Sequence, residues 1–226
     1  MTSPAYISSS QYELMAEHGV FDGKHKQHVE LFYGVICDKG TSHPAKISME
    51  QYEMMVELGV FAGEHHQRVE LIEGELRAMN PIGNRHAILV DHLAEWSFRT
   101  LPPGEAIVRI QNPVRCPNSN SLPQPDLAWV LRKRYAKHPG PEEVLLILEV
   151  ADTSHPFDRG KKAAIYAAAA FPEYWLVDIA TESIEVFRKP AGQRYDEVRL
   201  YRGDDSINPL AFPDIVFTPN QLFSDL

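Results

Sequence analysis

Cysteine is scarce: Cys37 and Cys116 are the only two in 226 residues, and no CxxC spacing joins them to anything. That excludes a disulfide framework and a cysteine zinc site, and it fits a reducing cytoplasm. No apolar run approaches the roughly 20 residues that span a bilayer, so no membrane partner is expected. Met1-Thr2-Ser3-Pro4-Ala5-Tyr6 has neither a basic start nor an apolar stretch, which argues against a secretory signal and for a cytoplasmic location. Positive charge is also short, with 22 Lys and Arg against 31 Asp and Glu and a formal net charge of −9. Such a chain gains no long-range attraction to phosphate, so contact with nucleic acid needs a local basic surface or a metal. The ten histidines include no HExxH, and there is no P-loop, GxGxxG or GxSxG. Zinc hydrolysis of that type, nucleotide hydrolysis, dinucleotide redox chemistry and the common serine hydrolases are thereby removed.

What is present begins with a duplication. Ile7-Ser8-Ser9-Ser10-Gln11-Tyr12-Glu13 returns forty positions later as Ile47-Ser48-Met49-Glu50-Gln51-Tyr52-Glu53. Gly19-Val20-Phe21 then matches Gly59-Val60-Phe61, and Val29-Glu30-Leu31 matches Val69-Glu70-Leu71. Each copy opens with Ser followed three residues later by Gln, a capping box for a short helix, then passes a glycine into a strand. Copy two runs on through Pro81 and His86 into a helical pattern over 87–100, whereas copy one runs into a linker of Lys39-Gly40-Thr41-Ser42-His43-Pro44. Residues 1–44 are therefore expected to be an appended segment and 45–226 the integral domain. Copy one should pack peripherally, dock onto a second protomer as in a homodimer, or remain mobile.

Further along, 105–110 reads as a strand and 112–125, rich in Pro, Asn and Ser, as a loop. Asp126 opens an apolar strand to Leu131, and Val144-Leu-Leu-Ile-Leu-Glu149-Val150 is the continuous run of a strand buried on both faces. A polar loop leads to an alanine-rich helix over 157–169, followed by strands at 173–178, 183–187 and 197–201. Strands split around a helix, with helices ahead of them, give an α/β or α+β sheet in one layered domain.

Glu149 closes a run of aliphatic residues, where an unpaired carboxylate would cost several kcal/mol; it needs a metal, a cation or a network unless the strand has simply reached solvent there. Asp126, after Pro125, is a plain turn residue on its own. If the two strands are neighbours, however, the carboxylates converge, and two carboxylates with a backbone carbonyl suit Mg²⁺. Lys161 and Lys162 begin the following helix, either as a solvated face with an Asp158–Lys162 pair or as an ammonium aimed at an attacked phosphate. Spacing does not choose between them. Tyr166 shares the face of Lys162. Glu70 is either a further metal-side carboxylate or a hairpin residue, and His86 either assists at a phosphate or caps its helix.

Pro125-Asp126, Leu148-Glu149-Val150, Asp158-Arg159-Gly160-Lys161-Lys162 with Tyr166, and Pro172-Glu173-Tyr174-Trp175-Leu176-Val177-Asp178 follow in that order. Together with Glu70-Leu71-Ile72-Glu73-Gly74-Glu75-Leu76, Pro81 and His86 upstream, they resemble the Uma-two-type putative restriction endonuclease family over roughly residues 47–190. The resemblance implies a PD-(D/E)XK core with a restriction-endonuclease-like mixed central sheet flanked by helices, acidic residues at Asp126 and Glu149, and the lysine at Lys162. A strict E-X-K would place lysine at position 151, where this chain has Ala151, so the implied lysine has moved to the helix and Lys162 comes ahead of Lys161. The loop Ala151-Asp152-Thr153-Ser154-His155-Pro156 is a looser match. The expected activity is endonucleolytic hydrolysis of DNA with Mg²⁺, or Mn²⁺ in its place, held by Asp126, Glu149 and the Val150 carbonyl. Arg132, Lys133, Arg134 and Lys137 are the densest basic run and the candidate for backbone contact, unless they are a solvated loop. The rival readings are a catalytically silent binding or regulatory module that keeps the fold, and a nuclease for RNA or branched DNA.

Overall fold

The structure is a computed structural model, described for residues 3–22, 27–62, 66–152 and 154–224. It divides into two compact units, Ile82–Asn118 with Pro123–Leu226, and Thr2–Pro81 with Ser119–Leu122.

The larger unit is a six-stranded mixed sheet. Its strands are β5 (Ala106–Ile110), β6 (Leu127–Leu131), β7 (Val144–Ala151), β8 (Glu173–Asp178), β9 (Ser183–Ala191) and β10 (Arg194–Arg202), numbered after four strands of the other unit. Their spatial order is β10-β9-β8-β7-β6-β5, and only the β7–β8 pair is parallel. A parallel pair needs a crossover, here the helical stretch α4 (His155–Phe157), a π-helical turn Asp158–Lys162 and α5 (Ala163–Ala168). Helix α3 (Asn84–Thr100) covers one face, where Leu89, Val90 and Leu93 join Trp129, Leu148, Val150, Trp175 and Val177 in one core. The other face carries the alternate residues of the same strands, and Tyr166 of α5 meets Tyr174 of β8 there with ring centroids 5.2 Å apart. The unbroken apolar run of β7 thus follows from burial on both faces. The hairpin of β9 and β10 is longer than its alternation suggested, because Pro190 pairs with Tyr195 beyond Arg188, where the β8 ladder has already ended.

The smaller unit holds both copies. Copy one is helix α1 (Ser9–Glu17) with hairpin β1 (Val29–Phe32) and β2 (Val35–Asp38); copy two is α2 (Met49–Glu57) with β3 (Val69–Ile72) and β4 (Glu75–Ala78). The expected capping boxes form in both, on Ser8 with Gln11 and on Ser48 with Gln51. Each hairpin turns on two residues with positive φ, Tyr33-Gly34 and Glu73-Gly74, the twist that a two-residue hairpin loop demands. The division expected at 44/45 falls inside this unit. Copy one contributes Ile7, Met15, Val20 and Ile36 to the same core as Ile47, Met55, Val60 and Leu71 of copy two, so the two bury each other's apolar faces.

Candidate active site

The site is built where β6 begins and β7 ends. The β6–β7 ladder ends with Leu127 paired to Leu148, so Asp126, just before β6, and Glu149, just past that pair, come to the same end of the two strands. Glu149 leaves the sheet on the side of α5, where it meets Tyr166, and the charge of Asp126 reaches it from the strand end. Asp126 is held by its neighbours: its Oδ2 accepts from the Val150 amide at 2.8 Å and meets His86 Nε2 at 3.1 Å, and the Gln111 side-chain amide donates to Oδ1 at 3.4 Å. The backbone closes the same corner, with Gln111 N donating to the Asp126 carbonyl at 3.0 Å.

Glu149 is only 4% exposed, which settles whether β7 has reached solvent there. One of its oxygens accepts from Lys162 Nζ at 2.9 Å and from the Tyr166 hydroxyl at 2.6 Å. The contact separates the two lysines by position: Lys162 is buried beside Glu149, while Lys161 is half-buried. Asp158, which spacing alone read as a surface partner of Lys162, is instead 3% exposed, with its carboxylate 3.6 Å from the Lys162 ammonium. The π-helical turn brings this about. Ala163 N bonds back to the Asp158 carbonyl, a five-residue step, so the turn is wide enough to aim both Asp158 and Lys162 inward. The Tyr174 hydroxyl also donates to the Asp158 carbonyl, at 3.3 Å.

Burial and neighbouring charge shift the protonation of Glu149, Asp158 and His86. Burial pushes Glu149 up to about 8; Lys162 pulls against that, and Asp158 and Asp126 add to it. Burial likewise raises Asp158, with Lys162 and a hydrogen bond from Ser154 opposing. For His86 burial disfavours the imidazolium, but the hydrogen bond and charge of Asp126, then Asp158 and the Val150 carbonyl, outweigh it and raise the ring. Its Nδ1 is buried without a hydrogen-bond partner. Tyr166, wholly buried against a carboxylate, is raised well above an ordinary phenol and stays a donor.

A divalent ion can be tested against these donors. Among the described residues, no group of three or more His, Cys, Asp or Glu side chains is arranged to hold one by itself. The remaining arrangement is two carboxylates at one strand end plus a carbonyl. A residue's N–H and C=O leave a strand on the same side; the Val150 amide reaches Asp126, and its carbonyl influences His86. One or two carboxylates, a carbonyl and several waters are an ordinary Mg²⁺ set, so the donors fit. Glu70 lies in the smaller unit, buried in β3 opposite Arg77. Thr153, in the loop after β7, lies outside the described residues. Arg132, Lys133, Arg134 and Lys137 are exposed beyond the far end of β6, with Lys133 bonded to Glu143 at 2.7 Å.

The family model described as "Uma2: Putative restriction endonuclease" matches residues 49–220. The chain belongs to that family. A solved structure, described as a putative nuclease belonging to DUF820 from Anabaena variabilis ATCC 29413, superposes with a TM-score of 0.61 at 14% identity, covering 79% of this chain and 98% of that one. It shows a shared nuclease-like fold. No curated protein matches the chain. The Uma2 match starts inside copy two, so copy one is an addition to the matched segment.

Proposed function

We propose that this Uma2 chain is a Mg²⁺-dependent endonuclease that hydrolyses phosphodiester bonds in DNA. The observation that carries this reading is the meeting of Asp126 and Glu149 at one end of the β6–β7 pair, with the Lys162 ammonium at 2.9 Å from Glu149. Asp126, Glu149 and the Val150 carbonyl would hold the ion, with Mn²⁺ as a substitute. When bound, the ion supplies Lewis-acid charge to the attacked phosphate and holds water close to it.

The chain's own groups do the rest. The Val150 amide and Gln111 fix the Asp126 carboxylate, and Tyr166 fixes Glu149, so the donors need little reorganisation on binding. Lys162, held between Glu149 and Asp158, carries a positive charge that offsets the charge building on phosphate oxygens. His86, bonded to Asp126 through Nε2 and raised in basicity by it, would steady that carboxylate and, as the imidazolium, add positive charge near the attacked phosphate. The test is cleavage by the full chain on supercoiled plasmid, linear duplex, branched DNA and RNA, with Mg²⁺, Mn²⁺ or EDTA. DNA cleavage that needs the metal and vanishes in Glu149→Gln supports the reading. Metal-dependent cleavage of RNA or of junctions alone corrects the substrate, metal-independent cleavage removes the ion from the reading, and absent cleavage with no metal binding leaves a silent module.

A further inference from the structure

The contacts between the two copies are reciprocal. Gln11 of copy one donates its side-chain amide to the Val60 carbonyl of copy two, and Gln51, its counterpart forty residues on, donates to the Val20 carbonyl at 3.0 Å. The same exchange holds along the backbone. Ala5 N bonds Leu76 O at 2.9 Å while Ala45 N bonds Ile36 O at 2.9 Å, and Ala78 N bonds Ser3 O at 3.0 Å while Asp38 N bonds His43 O at 3.1 Å. The isolated bridges Pro4–Arg77 and Cys37–Pro44 are a third such pair. Residue i of one copy meets j of the other, and j's counterpart meets i's: this is the signature of a two-fold, self-complementary interface, here inside one chain. A small cavity of about 30 Å³ lies where the axis would pass, lined from each copy by Pro4, Ala5 and Ile7 and by Pro44, Ala45 and Ile47.

We infer that the face copy two turns to copy one is a homotypic dimerisation surface, which copy one occupies in cis and a second copy of this chain can occupy in trans. The contacts that matter survive the exchange. With copy two of another molecule in place of copy one, Ala45 would replace Ala5 at Leu76 O, Gln51 would replace Gln11 at Val60 O, and Pro44 would replace Pro4 at Arg77. Where the copies differ at the contact, by Glu75 and Arg77 against Val35 and Cys37, the two charges already pair within β4 at 2.8 Å and bring no net charge to the axis. Only residues 39–42 separate the contact residues Asp38 of copy one and His43 of copy two, so the exchange means breaking the Asp38–His43 and Cys37–Pro44 contacts beside that tether.

The experiment uses the full chain. Sedimentation should give the wild type a mass of 25.6 kDa. Ile7→Asp, which puts a charge into the axial cavity from copy one alone, should shift the chain to twice that mass, and adding Ile47→Asp, which spoils the shared face, should return it to monomer. An Ile7→Asp chain that keeps its far-UV spectrum and stays monomeric, or a double variant that dimerises equally well, overturns the inference. A second measurement does not depend on that substitution. Pro4→Cys/Arg77→Cys, at two facing positions, is oxidised to tie copy one in cis, then unfolded and refolded at high concentration with the tie intact or reduced. A dimer should form from the reduced sample and not from the oxidised one; equal behaviour of the two overturns the inference.

Discussion

At the scale of single residues, Glu149 carries the most testable consequence. Its proton is held in the folded chain up to about 8 against 4.5 for an ordinary glutamate, so between those values the folded state binds more protons than the unfolded. The stabilisation that this gives is fully present below about 4.5 and lost as pH rises through about 8. The raised values of Asp158 and His86 push the same way. Metal-free protein should therefore melt lower at pH 8 than at pH 5, by on the order of 1.4 kcal/mol for each tenfold difference in proton affinity between the folded and unfolded chain, and Glu149→Gln should flatten most of that fall. Because a bound ion requires the ionised carboxylate, the melting shift produced by Mg²⁺ should grow with pH; a pH-independent shift would remove Glu149 from the ion's ligands. Lys162→Met should lower turnover about 10²- to 10³-fold, and Lys161→Met, which leaves the Glu149 contact intact, only a fewfold in the same cleavage assay. Asp126, Glu149, Lys162 and Tyr166 were legible in the sequence, because carboxylates beside aliphatic runs need partners and the family pattern orders them. Asp158 was not: its spacing to Lys162 is that of any exposed helical pair, and only the depth of the turn tells them apart.

The element that decides that depth is the π-helical turn. Nothing in Asp158-Arg159-Gly160-Lys161-Lys162 announces it, since the extra residue is stabilised by what the turn packs against, including the Tyr174 hydroxyl on the Asp158 carbonyl. Gly160 is not the cause: its φ is not positive and a side chain there would meet nothing within 4 Å. Gly160→Ala should accordingly raise unfolding stability by about 0.5–1 kcal/mol with cleavage unchanged. Deleting Gly160 should instead close the turn to an α-helix, rotate Asp158 by about 100° relative to Lys162, and cost as much activity as Lys162→Met while the far-UV spectrum is kept. Other elements were readable in proportion to how local their signals are. The capping boxes of α1 and α2, the buried run of β7 and the amphipathic α3 each follow from short stretches of neighbouring residues. The mutual burial of the two copies does not, because each copy shows only an apolar face, and a sequence does not say which other face will cover it.

On the scale of the whole molecule, the question is how a chain with a net charge of −9 meets a polyanion. The densest basic run, Arg132 to Lys137, follows the last residue of β6, whereas Asp126 precedes its first. Five extended residues put the two about 17–20 Å apart along the strand, and Lys133 is already spent on Glu143. The basic groups at the carboxylate end are others. Arg85 sits in the first turn of α3, next to His86, and Arg159 sits in the π-helical turn, next to Asp158. Both are about half exposed, and their partners Glu182 and Glu185, at 2.9 and 2.8 Å, leave the guanidinium groups only partly engaged. Exposed pairs of this kind are worth little and open readily toward a better anion. Exchanging Arg85 and Arg159 together for Ala should thus raise KM for DNA about tenfold with kcat nearly kept, the mark of lost ground-state contact. It should also reduce the slope of log affinity against log salt by about 0.9 for each phosphate contact removed. Exchanging Arg132, Lys133 and Arg134 for Ala should leave KM and the salt slope close to the wild type. The reverse pattern would mean that the nucleic acid runs over the far end of the sheet, and the carboxylate end would then not be where the phosphate is attacked.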